Sequence, residues 1–239
     1  MDQLLVALDV DEPSDARRLA DALRGIAGGF KIGSRLFTSH GPAIVEELVS
    51  QGDRVFLDLK FHDIPTTVAG AVAAATRLGV WMLNVHAMGG PAMLRAAREA
   101  ADEEAARISR PAPIVIAVTV LTSVNGAMLG EIGIAGDVRS QVERLALLAQ
   151  AARLDGVVAS PQEVDLIRAA CGRAFVVVTP GIRGAGETSG DQKRTMCASE
   201  ALKAGASYLV VGRPIIAARD PRAAAERLVE ECRTSGPGR

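Results

Sequence analysis

Short apolar runs rich in β-branched residues alternate with alanine- and leucine-rich stretches of helical period along almost the whole chain. Eight of the runs are predicted as strands, at residues 4–10, 29–32, 55–61, 82–86, 114–121, 156–159, 175–179 and 208–211. Eight stretches between or after them are predicted as helices, at residues 14–26, 41–51, 65–79, 90–108, 139–153, 162–170, 197–205 and 220–233. Strict alternation of the two predicts parallel strands that are joined by right-handed crossovers.

Eight strand–helix units in 239 residues favour an α/β fold of the (β/α)8 TIM-barrel type. An open doubly wound sheet is the alternative. A nucleotide-binding sheet of that kind carries GxGxxG after its first strand, whereas Asp9-Val10-Asp11-Glu12 stands at that place here. We therefore expect a single barrel domain over residues 1–234 and a frayed tail over residues 235–239.

The charges of the chain are balanced, with 27 basic and 28 acidic residues. No overall field favours nucleic acid or an anionic membrane as a partner, so an anionic ligand has to be bound by local groups. The apolar run at residues 4–8 stops at Asp9, too early for a signal peptide or a membrane span, and a cytoplasmic location is expected. The three cysteines form no CxxC pair, which argues against a disulfide framework or a zinc knuckle.

Five charged residues stand at or just after the carboxyl ends of predicted strands, namely Asp9, Lys31, Asp58, Lys60 and Asp63. Because side chains alternate along a strand, Asp58 and Lys60 are predicted to point together into the barrel. Lys31 and Asp9 are predicted to point inward for the same reason. A charge buried without a partner is costly, so we expect these residues to form a network of alternating charges. In a TIM barrel, this end of the strands carries the active site.

The alternative for each of these charged residues, taken singly, is a structural salt bridge. Asp63 has a further alternative, because a helix that opens with Pro65 follows it and offers free N–H groups to a carboxylate. Histidine is a residue type that commonly binds metals, and the chain has His40, His62 and His86. These residues form no carboxylate-rich HxH or HxxxH pattern. No metal is therefore expected.

Two segments near the end of the chain have the composition of a phosphate site. Gly212-Arg213 follows the eighth predicted strand, where glycine permits close backbone approach and arginine can bind a phosphate with two hydrogen bonds. After the seventh strand, the segment 179–183 ends at Arg183 and is followed by a long glycine-rich loop at residues 184–193, which is interpreted as a lid. Arg183 and Gln192 are expected to clamp the phosphate when the lid closes. The alternatives are a structural turn for the first segment and a plain surface loop for the second.

Several motifs together resemble those of the orotidine 5′-phosphate decarboxylase family, of its bacterial branch, and the resemblance spans nearly the whole chain. The most specific is DxKxxD running into IPTT at residues 58–67. The others are Ala7-Leu8-Asp9, Lys31-Ile32-Gly33, Asn84-Val85-His86-Ala87, Leu121-Thr122-Ser123, Pro180-Gly181-Ile182-Arg183 and Val211-Gly212-Arg213-Pro214-Ile215. One departure is Gly184, where many bacterial members carry proline.

The resemblance implies decarboxylation of orotidine monophosphate to uridine monophosphate with no metal or organic cofactor. It implies that Lys60 stabilises and protonates a C6 carbanion, that Asp58 lies beside the departing carboxylate, and that the enzyme is a homodimer. Asp63 and Thr67 would reach the neighbouring subunit's site. The remaining implied contacts are ribose and charge-network contacts by Asp9 and Lys31, pyrimidine contacts by Thr122 and Ser123, and phosphate contacts by Arg183, Gln192, Gly212 and Arg213. Pro180 is expected to contact the substrate as well.

Two other functions stay open at the level of sequence. Magnesium-dependent 3-keto-6-phosphogulonate decarboxylases and hexulose-phosphate synthases share DxKxxD, but their motif continues with alanine and glycine instead of IPTT. A sensor that binds a phosphorylated ligand without turnover would use the same pocket, although it would not need a proton donor beside the base.

Overall fold

The computed structural model describes residues 1–183 and 196–234. Eight strands form the central sheet, at Leu4–Ala7 (β1), Gly29–Gly33 (β2), Val55–Phe61 (β3), Met82–His86 (β4), Ile114–Val118 (β5), Gly156–Val158 (β6), Val176–Thr179 (β7) and Tyr208–Val211 (β10). Two short strands, Ile182–Arg183 (β8) and Met196–Cys197 (β9), pair with each other outside it.

Helices connect the strands, and the longer ones cover the outside of the sheet. They are Pro13–Leu23 (α1), Ser34–His40 (α2), Ala43–Ser50 (α3), Pro65–Arg77 (α4), Gly90–Arg107 (α5), Gly126–Glu131 (α6), Val138–Ala151 (α7), Val164–Cys171 (α8), Ala198–Lys203 (α9), Arg213–Ile216 (α10) and Pro221–Thr234 (α11). In α1, proline opens the helix, and Ala16, Leu19, Ala20 and Leu23 are buried at the spacing of one helical face. Among the described residues, no helix is both long and apolar enough to cross a membrane.

The central sheet closes on itself, which confirms the predicted (β/α)8 barrel. Neighbouring strands follow the order β1, β10, β7, β6, β5, β4, β3, β2, and every pair of neighbours is parallel. The carboxyl ends of all eight strands therefore meet at one end of the barrel.

Two apolar layers hold the barrel together, because its strands are buried on both faces. Side chains that point inward fill the interior, from Leu5, Ala7, Phe56, Met82, Ile116, Val178 and Val210. The residues that alternate with them, such as Leu4, Val6, Leu57 and Leu83, pack between the strands and the helices. This explains why the strands read as continuous apolar runs.

The element boundaries differ from the predictions where pairing depends on a neighbouring strand. β1 ends at Ala7 rather than residue 10, because its neighbour β10 ends at Val211, which pairs with Val6. Helices α2, α6 and α10 and the β8–β9 pair were not predicted. All are short, so the sequence offers little periodicity to detect. The predicted tail at residues 235–239 lies outside the described residues.

Candidate active site

A cavity of about 540 Å³ opens at the carboxyl ends of the strands. Its floor includes Ala7, Phe56, Val158 and Val210, which belong to the apolar interior of the barrel or pack against it. Its polar and charged lining comes from Asp9, Lys31, Arg35, Asp58, Lys60, Thr122 and Arg213. The cavity therefore combines an apolar base with charged groups at the end where TIM barrels carry active sites.

Four of the five charged residues singled out in the sequence form one chain of alternating charge. Lys31 Nζ lies 2.9 Å from Asp9 Oδ1 and 3.5 Å from Asp58 Oδ2. Asp58 Oδ1 in turn accepts a hydrogen bond from Lys60 Nζ at 2.7 Å. The side chains of Lys31 and Asp58 are only 8% and 14% exposed, so water screens this pair weakly. The inward orientation of all four side chains was predicted from strand alternation.

The surroundings of Asp58 keep its carboxylate ionised. Burial by itself raises the pKa of this group, but the positive charges of Lys31 and Lys60 act in the opposite direction, as do hydrogen bonds from Lys60 and Asn84. The net effect places the pKa of Asp58 below its ordinary value. A buried carboxylate held in this way keeps a negative charge beside the Lys60 ammonium.

The end of β3 departs from regular strand geometry at Lys60. Leu57 pairs with Leu83 and Phe61 pairs with Val85. Between these two pairs the chain of β3 moves forward by four residues and that of β4 by only two, as in a β-bulge. Lys60 has a positive φ of 53°, which is rare for a residue with a side chain. Its backbone N–H donates to Asn84 Oδ1 at 2.8 Å. The strand end is thus bent at the residue that carries the ammonium.

Asp63 lies outside this network in the single chain. Its side chain is exposed, and its Oδ1 accepts a hydrogen bond from the backbone N–H of Ile64 at 2.6 Å. Thr67 is also exposed, on the first turn of α4. Neither residue lines the cavity. The structure therefore brings four of the five charged residues together and leaves Asp63 on the surface beside them.

The sequence of residues 2–228 matches the model of the Orotidine 5'-phosphate decarboxylase / HUMPS family. The chain belongs to that family. The match covers the barrel, the charge network and the segment that carries DxKxxD.

Relatives with high identity agree with the family match. Orotidine 5'-phosphate decarboxylase of Moorella thermoacetica is 58% identical over 231 residues, which is 96% of this chain and 92% of the relative. The protein of the same name from Syntrophotalea carbinolica is 52% identical over 229 residues, 96% of this chain and 94% of the relative. A crystal structure of orotidine 5'-phosphate decarboxylase from Lactobacillus acidophilus has 34% identity and a TM-score of 0.83, with 96% and 98% of the two chains covered.

Other residues implied by the family resemblance fall at different places. Pro180, Gly212, Arg213 and Thr122 line the cavity, whereas Ser123 is exposed and does not. The backbone of Arg183 lies in β8, directly after Pro180, Gly181 and Ile182, which line the cavity. Gln192 and the glycine-rich loop from residue 184 fall outside the described residues.

Two of the three histidines, His62 and His86, stack against each other. The rings of His62 and His86 lie 5.2 Å apart at an interplanar angle of 21°. Burial lowers the pKa of His86, and the charges of His62 and Lys60 lower it further. His40 is remote from the pair in sequence, and its Nε2 lies 2.8 Å from the backbone oxygen of Asp11. Within residues 1–183 and 196–234, no group of three or more histidine, cysteine and acidic residues is arranged to hold a metal.

Three residues of the site had no role predicted from the sequence. Arg35, at the start of α2, lines the cavity, and its Nε donates to Asp11 Oδ1 at 2.6 Å. Gly33 lies against the charge network, because a Cβ there would come 3.0 Å from Lys31 Nζ and 3.2 Å from Asp9 Oδ1. Asn84 is wholly buried. Gly33 and Asn84 both stand in motifs that carry the family resemblance, and Asn84 is also conspicuous as a polar residue inside an apolar strand.

Proposed function

We propose that this chain is an orotidine 5′-phosphate decarboxylase, which converts orotidine monophosphate to uridine monophosphate and CO₂. The observation that carries the proposal is the Lys60 ammonium, held 2.7 Å from the buried Asp58 carboxylate on the wall of the cavity. The names of the relatives at 58% and 52% identity support the same activity.

Lysine suits this reaction because loss of CO₂ from C6 leaves a carbanion that no conjugated carbonyl stabilises. A cation beside that carbon supplies both the field that stabilises the charge and the proton that replaces the carboxylate. In this proposal Lys60 performs both steps. Asp58 lies beside the departing carboxylate, and Lys31 links Asp58 to Asp9, which contacts the ribose.

Repulsion between Asp58 and the substrate carboxylate contributes only part of the rate. Two charges about 4 Å apart at an effective dielectric of about 20 interact by about 4 kcal/mol. That energy corresponds to roughly a thousandfold in rate, whereas enzymes commonly supply about 8–23 kcal/mol. Most of the acceleration is therefore assigned to Lys60 and to binding energy from the phosphate.

The phosphate end of the substrate is assigned to the rim formed by the segments after β7 and β10. Gly212, Arg213 and Pro180 line the cavity there, after the neighbouring strands β10 and β7. Arg213 is exposed, so its guanidinium is accessible to a phosphate, to which it can donate two hydrogen bonds. Arg183 and Gln192 complete the phosphate clamp in this proposal, and Thr122 and Ser123 contact the pyrimidine.

The proposed enzyme is a homodimer in which Asp63 and Thr67 reach the partner's site. Among the described residues, most of the large exposed apolar side chains lie in the segments that follow the neighbouring strands β3, β4 and β5: Ile64, Met88, Leu121, Met128 and Ile132. Ile64 and Ile132 are 65% and 64% exposed. Exposed apolar side chains favour association with another protein when they lie together, and Ile64 is next to Asp63 in the chain.

The rival function is a magnesium-dependent decarboxylase or synthase of phosphorylated sugars. Two observations favour the lysine-based reaction. Among the described residues, the carboxylates that line the cavity are Asp9 and Asp58, and both are engaged by lysine ammonium groups. The motif also continues as IPTT at residues 64–67.

The test is to follow the loss of absorbance as orotidine monophosphate becomes uridine monophosphate, with and without EDTA. We expect turnover that EDTA does not reduce. Turnover abolished by EDTA and restored by magnesium would favour the rival. Binding of orotidine monophosphate with no turnover would show a sensor instead of an enzyme.

A further inference from the structure

Asn84 lies at the centre of β4, where polar residues are otherwise excluded. Its neighbours Leu83 and Val85 pack between the sheet and the helices, so the Asn84 side chain points to the opposite face, into the barrel. The residue is 0% exposed. A buried amide of this kind is costly unless both of its polar atoms are hydrogen-bonded.

Both polar atoms of Asn84 are used, and both bonds go to the catalytic segment of β3. Nδ2 donates to Asp58 Oδ1 at 2.6 Å, and Oδ1 accepts from the backbone N–H of Lys60 at 2.8 Å. The partners fix the orientation of the amide, because an ionised carboxylate only accepts and a backbone N–H only donates.

The bond to Lys60 replaces a ladder bond that the irregular strand cannot make. The register between β3 and β4 shifts between Leu57 and Phe61, and Lys60 lies inside the shifted stretch with a φ of 53°. Asn84 supplies a side-chain acceptor for its backbone N–H. The amide therefore stabilises the bend from which the Lys60 side chain extends.

The bond to Asp58 fixes which carboxylate oxygen faces which cation. Asp58 Oδ1 accepts hydrogen bonds from both Asn84 Nδ2 and Lys60 Nζ, while Asp58 Oδ2 lies 3.5 Å from Lys31 Nζ. Without the amide, one of the two donors on Oδ1 is lost, and the carboxylate can rotate about its last bond. Asn84 thus bears on the position of both members of the Asp58–Lys60 pair while it does not itself line the cavity.

We propose that Asn84 is a positioning residue for the decarboxylation, acting through Asp58 and Lys60 without touching the substrate. The inference rests on the proposed function. It predicts a loss in kcat rather than in KM, because a displaced ammonium protonates C6 poorly, while the described residues assigned to the ribose and the phosphate make no hydrogen bond to Asn84.

The first test compares Asn84→Ala with the wild-type enzyme at a temperature at which both are folded. We expect kcat for orotidine monophosphate to fall by about tenfold or more, with KM changed by less than about threefold. Thr119→Val is the matched control. Thr119 is also 0% exposed, and its Oγ1 donates a hydrogen bond to the backbone oxygen of Val158. That hydrogen bond involves neither Asp58 nor Lys60. This control should lower the melting temperature and leave kcat unchanged.

The second test is the pH profile of Asn84→Asp, which also decides the matter if Asn84→Ala does not fold. When protonated, the introduced carboxyl group has one donor and one acceptor, as the amide does, whereas its ionised form repels Asp58. We expect kcat relative to wild type to rise as the pH is lowered. A merely structural role would change stability but give a kcat profile parallel to that of wild type.

The outcomes separate this inference from the function on which it rests. If wild type does not decarboxylate orotidine monophosphate, the proposed function fails. If wild type is active and Asn84→Ala keeps its kcat within about threefold of wild type, only the positioning role is overturned. The same holds if the pH profile of kcat for Asn84→Asp is parallel to that of wild type.

Discussion

Lys60 Nζ lies 2.7 Å from Asp58 Oδ1, although the two residues belong to one strand and only Leu59 separates them. In a regular strand, residues two apart on one face are about 6.6 Å from each other along the strand axis. The positive φ of Lys60 and the shifted register change the course of the strand where these two side chains meet. The ion pair therefore lies at the bent end of β3, with the Lys60 side chain extending back over the rise between the two residues.

Lys60→Ala should lower kcat for orotidine monophosphate by about 10⁴-fold or more, because the field and the proton are lost together. The fold should persist, since Asp58 keeps its contacts with Lys31 and Asn84. Steady-state kinetics and circular dichroism check both statements. Lys203→Ala, at an exposed lysine in α9, is the control and should behave as wild type. A near-normal kcat in Lys60→Ala would remove this lysine from the mechanism.

Arg213→Ala should reduce kcat/KM by about ten- to a hundredfold, because a charged hydrogen bond to phosphate contributes about 1.5–3 kcal/mol. Gln192→Ala should reduce it in the same direction. Arg219→Ala removes another exposed arginine, one that does not line the cavity, and should have no effect. The loss should disappear when orotidine, which lacks the phosphate, is the substrate. Unchanged kcat/KM for orotidine monophosphate would refute the assigned phosphate site.

Mixing inactive Lys60→Ala and Asp63→Ala subunits should restore activity. In a mixed dimer, one site contains both substitutions and the other contains neither, so random exchange gives about a quarter of the wild-type activity. Activity is measured after subunit exchange, which differently tagged subunits report. Each variant incubated alone serves as the control. Complete exchange without recovery would mean that Asp63 does not act in the partner's site.

His86 should make the protein less stable as the pH falls below its ordinary pKa of 6.5. Burial and the nearby charges of His62 and Lys60 lower the pKa of His86 in the folded state. In the window below 6.5 and above the folded pKa, the unfolded chain therefore binds more protons, and the free energy of unfolding decreases as the pH is lowered. One proton gives a slope of at most about 1.4 kcal/mol per pH unit.

Urea unfolding at a fixed protein concentration measures this dependence. His86→Gln should flatten it in that window. Equal slopes for wild type and His86→Gln would show that His86 titrates alike in the folded and unfolded states.

Local periodicity was enough to predict the barrel and most of its charge network. Strand alternation is a property of neighbouring residues, so it predicted that Asp58 and Lys60, and likewise Lys31 and Asp9, point inward at the carboxyl ends of their strands. The structure confirms this arrangement. The motif at residues 58–67 likewise predicted the family, since it is contiguous in the sequence.

Only the tertiary structure decided how these residues meet. The bend at Lys60 depends on the register between β3 and β4, and the role of Asn84 depends on which strand lies beside β3. The same holds for Asp63, which the sequence grouped with the network and which the folded chain leaves exposed. Sequence determines which face of a strand a side chain occupies, because that is set by the strand's own repeat. The register between strands arises only when the barrel closes, because it is set by hydrogen bonds between residues far apart in the chain.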